Sequence, residues 1–116
     1  MLRDEIWLID FEPPVGAEAN KRRPAVIVSN NAANAVAAGA SNGTVTVVPL
    51  TSNIKRIYSS QTLLPADETG LNYDSKAQAE LLRSFSVRRF ERRIGNVPVD
   101  RMHALEVAIK LHLELS

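Results

Sequence analysis

The stretch Lys21-Arg22-Arg23-Pro24-Ala25-Val26-Ile27-Val28-Ser29 constrains the fold more than any other part of the chain. A cluster of cations stops at a proline, and an apolar run begins at once. Proline fixes its own φ and biases the residue before it toward extended backbone. Ala25 to Val28 is short and rich in β-branched residues, so it reads as a buried strand. Arg23 is thereby set at the mouth of a strand, beside the core. Thr44-Val45-Thr46-Val47-Val48 reads as a second strand and runs out in Pro49-Leu50-Thr51-Ser52. One strand end offers a guanidinium and the other two hydroxyls, groups suited to a phosphate.

The remaining pattern is one of short strands followed by a helix. Glu5 to Phe11 alternates as a strand, with Trp7, Ile9 and Phe11 on one face and Ile6 and Leu8 on the other. Pro13 to Gly16 breaks it, and Glu12 to Arg22 reads as a long polar loop, a kind often functional. Asn31 to Ala38 reads as a short helix capped by Asn30 or Asn31. Gln61 to Leu64 reads as a strand ending at Pro65, with a turn at Asn72-Tyr73-Asp74. Ala77 to Phe85 is expected as one strand, Ser86 as the cap of a short helix reaching Phe90 or Arg92, and Ile94 to Val97 as a last strand. Asp100 reads as the N-cap of a helix over Arg101 to Leu115. Its apolar stripe is Met102, Leu105, Ile109 and Leu113, widened by Val107 and Leu111, with Glu106 and Lys110 spaced as an ion pair. These elements predict an α+β, mainly β domain: a small curved sheet or partly open barrel with a C-terminal helix.

Length and composition narrow the classes. The 116 residues make one domain, 1–116, with a modest core. The absence of cysteine excludes disulfides, thiolate metal sites and a cysteine nucleophile, and fits a reducing compartment. No apolar run approaches a membrane span and no signal peptide is recognisable, so a cytoplasmic location is expected. The net charge of +1 hides an asymmetry. Residues 21–93 carry eleven Lys and Arg against five acids, whereas residues 1–20 carry one Arg against five acids. A polyanion would choose the basic middle, although scattered solvated charges give a similar sum.

His103 and His112 lie nine positions apart on one helix and so point to opposite faces. They cannot share a metal or act as an acid–base pair. No glycine-rich phosphate loop or nucleophile elbow is present. Catalysis would therefore fall to arginine, hydroxyls or carboxylates. Arginine matches phosphate oxygens with a planar fork and can stabilise a phosphorane, but it is a poor general base. Taken alone, Arg23 also reads as a solvated strand-end cation, Thr51 as a residue closing a turn, and Arg83 as the partner of Glu80. Arg88, Arg89, Arg92 and Arg93 form the densest basic cluster, with the first three on one side if helical. Trp7 and Phe11 read as core, leaving Tyr58 and Tyr73 in loops as the few candidates for base stacking.

Glu5-Ile6-Trp7, Gly16-Ala17-Glu18, Arg23-Pro24-Ala25-Val26, Val48-Pro49-Leu50-Thr51-Ser52 and Leu82-Arg83-Ser84 follow one another in a characteristic order. Their order and spacing resemble the MazF/PemK family of toxin endoribonucleases from toxin–antitoxin pairs, from Glu5 through the last helix. The resemblance implies an SH3-like barrel with added helices and a homodimer. It implies metal-independent cleavage of single-stranded RNA, with no cofactor, leaving 2′,3′-cyclic phosphate and 5′-hydroxyl ends. A small antitoxin with an acidic or disordered tail is the implied regulator. Arg23 and Thr51 fall on the family's catalytic arginine and threonine. Glu18, Asn20, Lys21, Ser52, Gln78, Glu80, Arg83 and Ser84 fall in the segments that line its RNA groove. Two positions depart from the pattern: Leu81 stands where a glutamine is common, and Ser86 where many members carry an aspartate. Three rivals stand beside this reading. They are a gyrase-binding toxin of the same fold, as in the related CcdB family, a protein-interaction module, and a member that binds antitoxin without cutting.

Overall fold

A computed structural model describes residues 1–11 and 22–115. Seven strands form one antiparallel sheet: β1 Glu5–Asp10, β2 Arg22–Ile27, β3 Thr44–Thr51, β4 Gln61–Leu64, β5 Ser75–Gln78, β6 Arg83–Ser86 and β7 Phe90–Asn96. Three helices accompany them: α1 Asn31–Ala38, α2 Ala66–Thr69 and α3 Val99–Leu113. The strand order is β4-β5-β3-β2-β1-β7, with β6 also paired to β3, so the sheet curls without closing. This is the partly open barrel with helices that the sequence predicts.

Strand alternation puts two hydrophobic clusters on opposite faces of the sheet. Ile6, Val26, Val48 and Leu50 face α3, where Met102, Leu105 and Ala108 meet them. Ile9, Ala25, Ile27, Val45 and Val47 face the other way, toward Phe85, Phe90 and Ala37 of α1. Most of these side chains are fully buried, and each Val, Leu, Ile, Phe or Met among them contributes about 1.5–3 kcal/mol of transfer free energy. Trp7 and Phe11 edge the second cluster half-buried rather than filling it. Helix α1 starts where expected, because the Asn30 side chain accepts from the Ala33 amide at 2.8 Å.

Several expectations need correction. Ala77 to Phe85 is not one strand: a 3₁₀ turn at Ala79–Leu81 separates β5 from β6. Both strands pair with β3, at Leu50↔Ala77 and Val47↔Arg83, and the turn absorbs the three extra residues between those registers. Ser86 does cap a turn, accepting from the Arg88 amide, but the turn stops at Arg89 and β7 begins at Phe90. Backbone pairing with β1 overrides a helix there, so Arg88, Arg89 and Arg92 share no helical face. Helix α3 is capped at Pro98 and starts at Val99, two residues before the expected Arg101. Its apolar stripe is narrower than expected: Val107, Leu111 and Leu113 are exposed. Glu106 pairs with Arg3 at 2.9 Å. Glu80 accepts from Ser60 and Gln61, whereas Arg83 stacks 4.2 Å from the Phe85 ring centroid.

Glu5 is the most buried carboxylate at the start of the sheet. Burial by itself raises its pKa. Hydrogen bonds from the Leu2 amide and the Trp7 indole, with the N-terminus and Arg93, outweigh that and hold it below the ordinary value.

Candidate active site

The cleft that matters opens where β2 begins and β3 ends. The paired register runs Ile27↔Val47, Val26↔Val48 and Ala25↔Pro49. Continued by two places, it sets Arg23 across from Thr51. Pro24 has no N–H to extend the ladder, so the strands part here. Consecutive residues of both strands then reach one cavity of about 520 Å³.

Arg22, Arg23 and Pro24 line it from β2, and Leu50, Thr51 and Ser52 from β3 and its continuation. On the other side β1 pairs Leu8 with both Pro24 and Arg92, which brings Arg92 of β7 to the same cavity. Buried Leu50 and Leu71, with half-buried Leu8 and Ile94, give the cleft an apolar floor. Arginines and hydroxyls stand above it, and no carboxylate lines it among the described residues. Glu91 accepts from Arg22 Nε at 2.7 Å, which raises the pKa of that guanidinium. Arg23 is half-buried. Thr51 Oγ1 accepts from the Asn53 amide at 3.2 Å, which leaves the hydroxyl a proton to donate. Guanidinium and hydroxyl donors over an apolar floor have the chemistry to accommodate an anion such as a phosphate.

Arg23, Thr51 and Ser52 are thus brought together. Gln78, Glu80, Arg83 and Ser84 are not lining residues of this cleft. Gln78 pairs with Gln61 on β4, and Ser84 Oγ lies 2.8 Å from Thr46 Oγ1. Glu18, Asn20 and Lys21 lie outside the described residues.

The model of the PemK-like, MazF-like toxin family of type II toxin–antitoxin systems matches residues 2–113. The chain belongs to this MazF-like toxin family. It is 51% identical over 115 residues to "Endoribonuclease MazF9" of Mycobacterium tuberculosis, covering 99% of this chain and 98% of that one. Among solved structures, a crystal form of MazF from Deinococcus radiodurans superposes with a TM-score of 0.78 at 25% identity, covering 98% of this chain and 96% of that one. An endoribonuclease from a mycobacterial species, solved with its cognate antitoxin, superposes with a TM-score of 0.77 at 21% identity, over 100% and 97% of the two chains. That last likeness is one of fold.

The MazF-like cleft also holds residues that sequence reasoning does not assign to it. In the sequence Arg92 stands out only as part of a basic run and Asn72 only as a turn, while Tyr73 is one of two loop candidates for base stacking with nothing to place it at this cleft. The missing signal is tertiary. Arg92 arrives through the β1–β7 pairing, and the Asn72-Tyr73 turn through close packing of Gly70 on Gly95.

Proposed function

We propose that this MazF-like toxin is an endoribonuclease that cuts single-stranded RNA, mRNA included, at a short sequence and is neutralised by a cognate antitoxin. The observation that carries the reading is one cleft lined by Arg23, Thr51 and Ser52. In the proposed step the 2′-hydroxyl of the nucleotide before the scissile linkage releases its proton as its oxygen attacks phosphorus, which balances the proton the leaving oxygen takes up. The bond from phosphorus to the 5′-oxygen breaks, and the departing oxygen takes a proton. The products carry a 2′,3′-cyclic phosphate and a 5′-hydroxyl. Arg23 offsets the charge that grows on the nonbridging oxygens, and Thr51 holds the phosphate by donating its hydroxyl. Ser52 adds a donor at the strand end. The step is assigned no metal, because the described lining offers guanidinium and hydroxyl groups rather than imidazoles or carboxylates.

Gln78, Glu80, Arg83 and Ser84, with Glu18, Asn20 and Lys21, are proposed to contact RNA beyond the scissile phosphate. Single strands suit the site because their bases are unstacked and the 2′-hydroxyl can rotate into line. An acidic, disordered antitoxin segment would be attracted by the same arginines. A homodimer is proposed as the working form, supported by the apolar residues that α3 leaves exposed, Val107 and Leu111 among them. No described helix is long and apolar enough to cross a membrane, and a cytoplasmic location accords with an mRNA substrate.

The test is direct. Purified protein is incubated with end-labelled RNA and a chelator, and the termini are mapped. Cleavage with cyclic phosphate ends is expected, and its loss in Arg23→Ala and Thr51→Ala. Full-rate cleavage by both variants discards the pair, and a requirement for added metal discards the mechanism. An RNA left intact by protein that still binds DNA gyrase supports the rival reading.

A further inference from the structure

Beside the arginines, the lining of the cleft includes an exposed aromatic ring. Tyr73 lines the cavity yet keeps 72% of its surface in solvent. A ring in that position covers no core, so its exposure is not explained by folding. The backbone that carries it is nonetheless fixed from both sides. Asp74 Oδ1 accepts from the Ala66 amide at 2.8 Å, and Ser75 Oγ donates to the Tyr73 carbonyl at 3.0 Å. Leu71 is buried, and its amide donates to Thr69 Oγ1. Gly70 takes a φ of 88° and packs so close to β7 that a Cβ there would lie 3.0 Å from the Ile94 carbonyl oxygen. A fixed loop thus carries one aromatic side chain into a cleft that apolar residues and arginines also line.

We infer that Tyr73 is a stacking platform for the nucleobase adjacent to the phosphate held by Arg23 and Thr51. This rests on the endoribonuclease reading and adds to it a base subsite. The chemistry is general: every base has a π-face, an aromatic side chain on fixed backbone stacks it at little entropic cost, and the neighbouring arginines hold the phosphates on either side. Tyr73 would act on substrate binding and positioning and leave the proton transfers to other groups.

The experiment uses the full chain and an RNA whose cut site has been mapped with the wild-type protein. In the probe a 2′-deoxy nucleotide blocks that site, and 2-aminopurine replaces the base on one side or the other. Binding of wild-type protein and Tyr73→Phe is expected to quench the fluorescence of one of the two probes. Tyr73→Ala is expected to leave it unquenched and to raise KM for the cleavable RNA about tenfold, with kcat within about threefold, as for removal of one base–aromatic stack. An unchanged melting temperature in Tyr73→Ala separates this from misfolding. Equal quenching and equal KM in all three proteins overturn the stacking role and leave the endoribonuclease reading intact. Absence of cleavage by the wild-type protein overturns that reading and this inference with it.

Discussion

At the Thr51 end of β3, arginines and the hydroxyls of Thr51 and Ser52 line an open cleft. At its Thr44 end, an arginine and two hydroxyls are engaged with one another and with aromatic rings. Thr46 and Ser84 bond each other at 2.8 Å, and the Arg83 guanidinium lies 4.2 Å from the Phe85 centroid and 5.6 Å from that of Phe11. Thr51 instead accepts a single backbone N–H, with its proton left to give, and shares a cavity with Arg23 and Arg92. The residue types are nearly the same at the two ends. What differs is that the Thr46 and Ser84 hydroxyls bond each other, whereas Thr51 and Ser52 line a space that a substrate can enter. Composition therefore identifies neither end as a site, and pairing geometry distinguishes them.

Removing the arginine at each end probes this difference most severely. Arg23→Ala is expected to lower kcat for RNA cleavage by about 10²–10³, the range for losing one preorganised donor to a developing oxyanion. Its urea midpoint should stay near wild type, since Arg23 lies at the strand end. Thr51→Ala comes next, at roughly 10–10² in kcat, as for loss of a hydrogen bond to a charged group. Thr51→Ser should restore most of the rate, because the hydroxyl rather than the methyl group is the working part. A larger loss in Arg83→Ala than in Arg23→Ala would reverse the assignment of the two ends.

Much of this architecture can be read from the sequence, and the part that cannot has physical causes. Strands β1 to β4 and α1 announce themselves through alternation, Pro24, Pro65 and the Asn30 cap, which are local signals. The break between β5 and β6 is not local. It follows from two registers that β3 imposes on one edge, and Ala79-Glu80-Leu81 carries no breaker that reports it. Likewise Phe90 to Arg92 reads as the end of a short helix until β1 claims it as a strand. The pairing of Arg23 with Thr51 could be expected from two proline-bounded strand ends and the family resemblance. The Tyr73 wall could not, because Gly70 and Gly95 meet only after the sheet has formed.

That meeting supplies the next test. A Cβ on Gly95 would lie 1.8 Å from the Thr69 carbonyl oxygen, which belongs to backbone and cannot rotate away. Gly95→Ala is expected to cost about 1–3 kcal/mol by overpacking, read from the urea midpoint. It should also raise KM for RNA, because the Thr69–Gly70 corner carries the Tyr73 loop. Gly39→Ala is the control. At the end of α1 its φ is −86°, the nearest atom to a new Cβ is 3.7 Å away, and the substitution should stabilise by about 0.4–1 kcal/mol with unchanged cleavage.

The smallest effect is expected at Arg83, and it separates the two ends most finely. Its guanidinium covers the Phe85 ring on an exposed part of β6. Arg83→Ala should therefore cost about 0.5–1 kcal/mol of stability, the value of an exposed cation–π interaction. Arg83→Lys should recover only part of that, since an ammonium cannot lie flat on the ring as a guanidinium does. On RNA, the proposed role beyond the scissile phosphate predicts a KM raised severalfold and a kcat within about twofold. The slope of log affinity against log salt should become shallower by about 0.7, the share of a single neutralised phosphate on single-stranded nucleic acid. Reduced stability with no change in KM or in salt slope would mean that the rings engage this arginine fully, and the Thr44 end of β3 would then be structural alone.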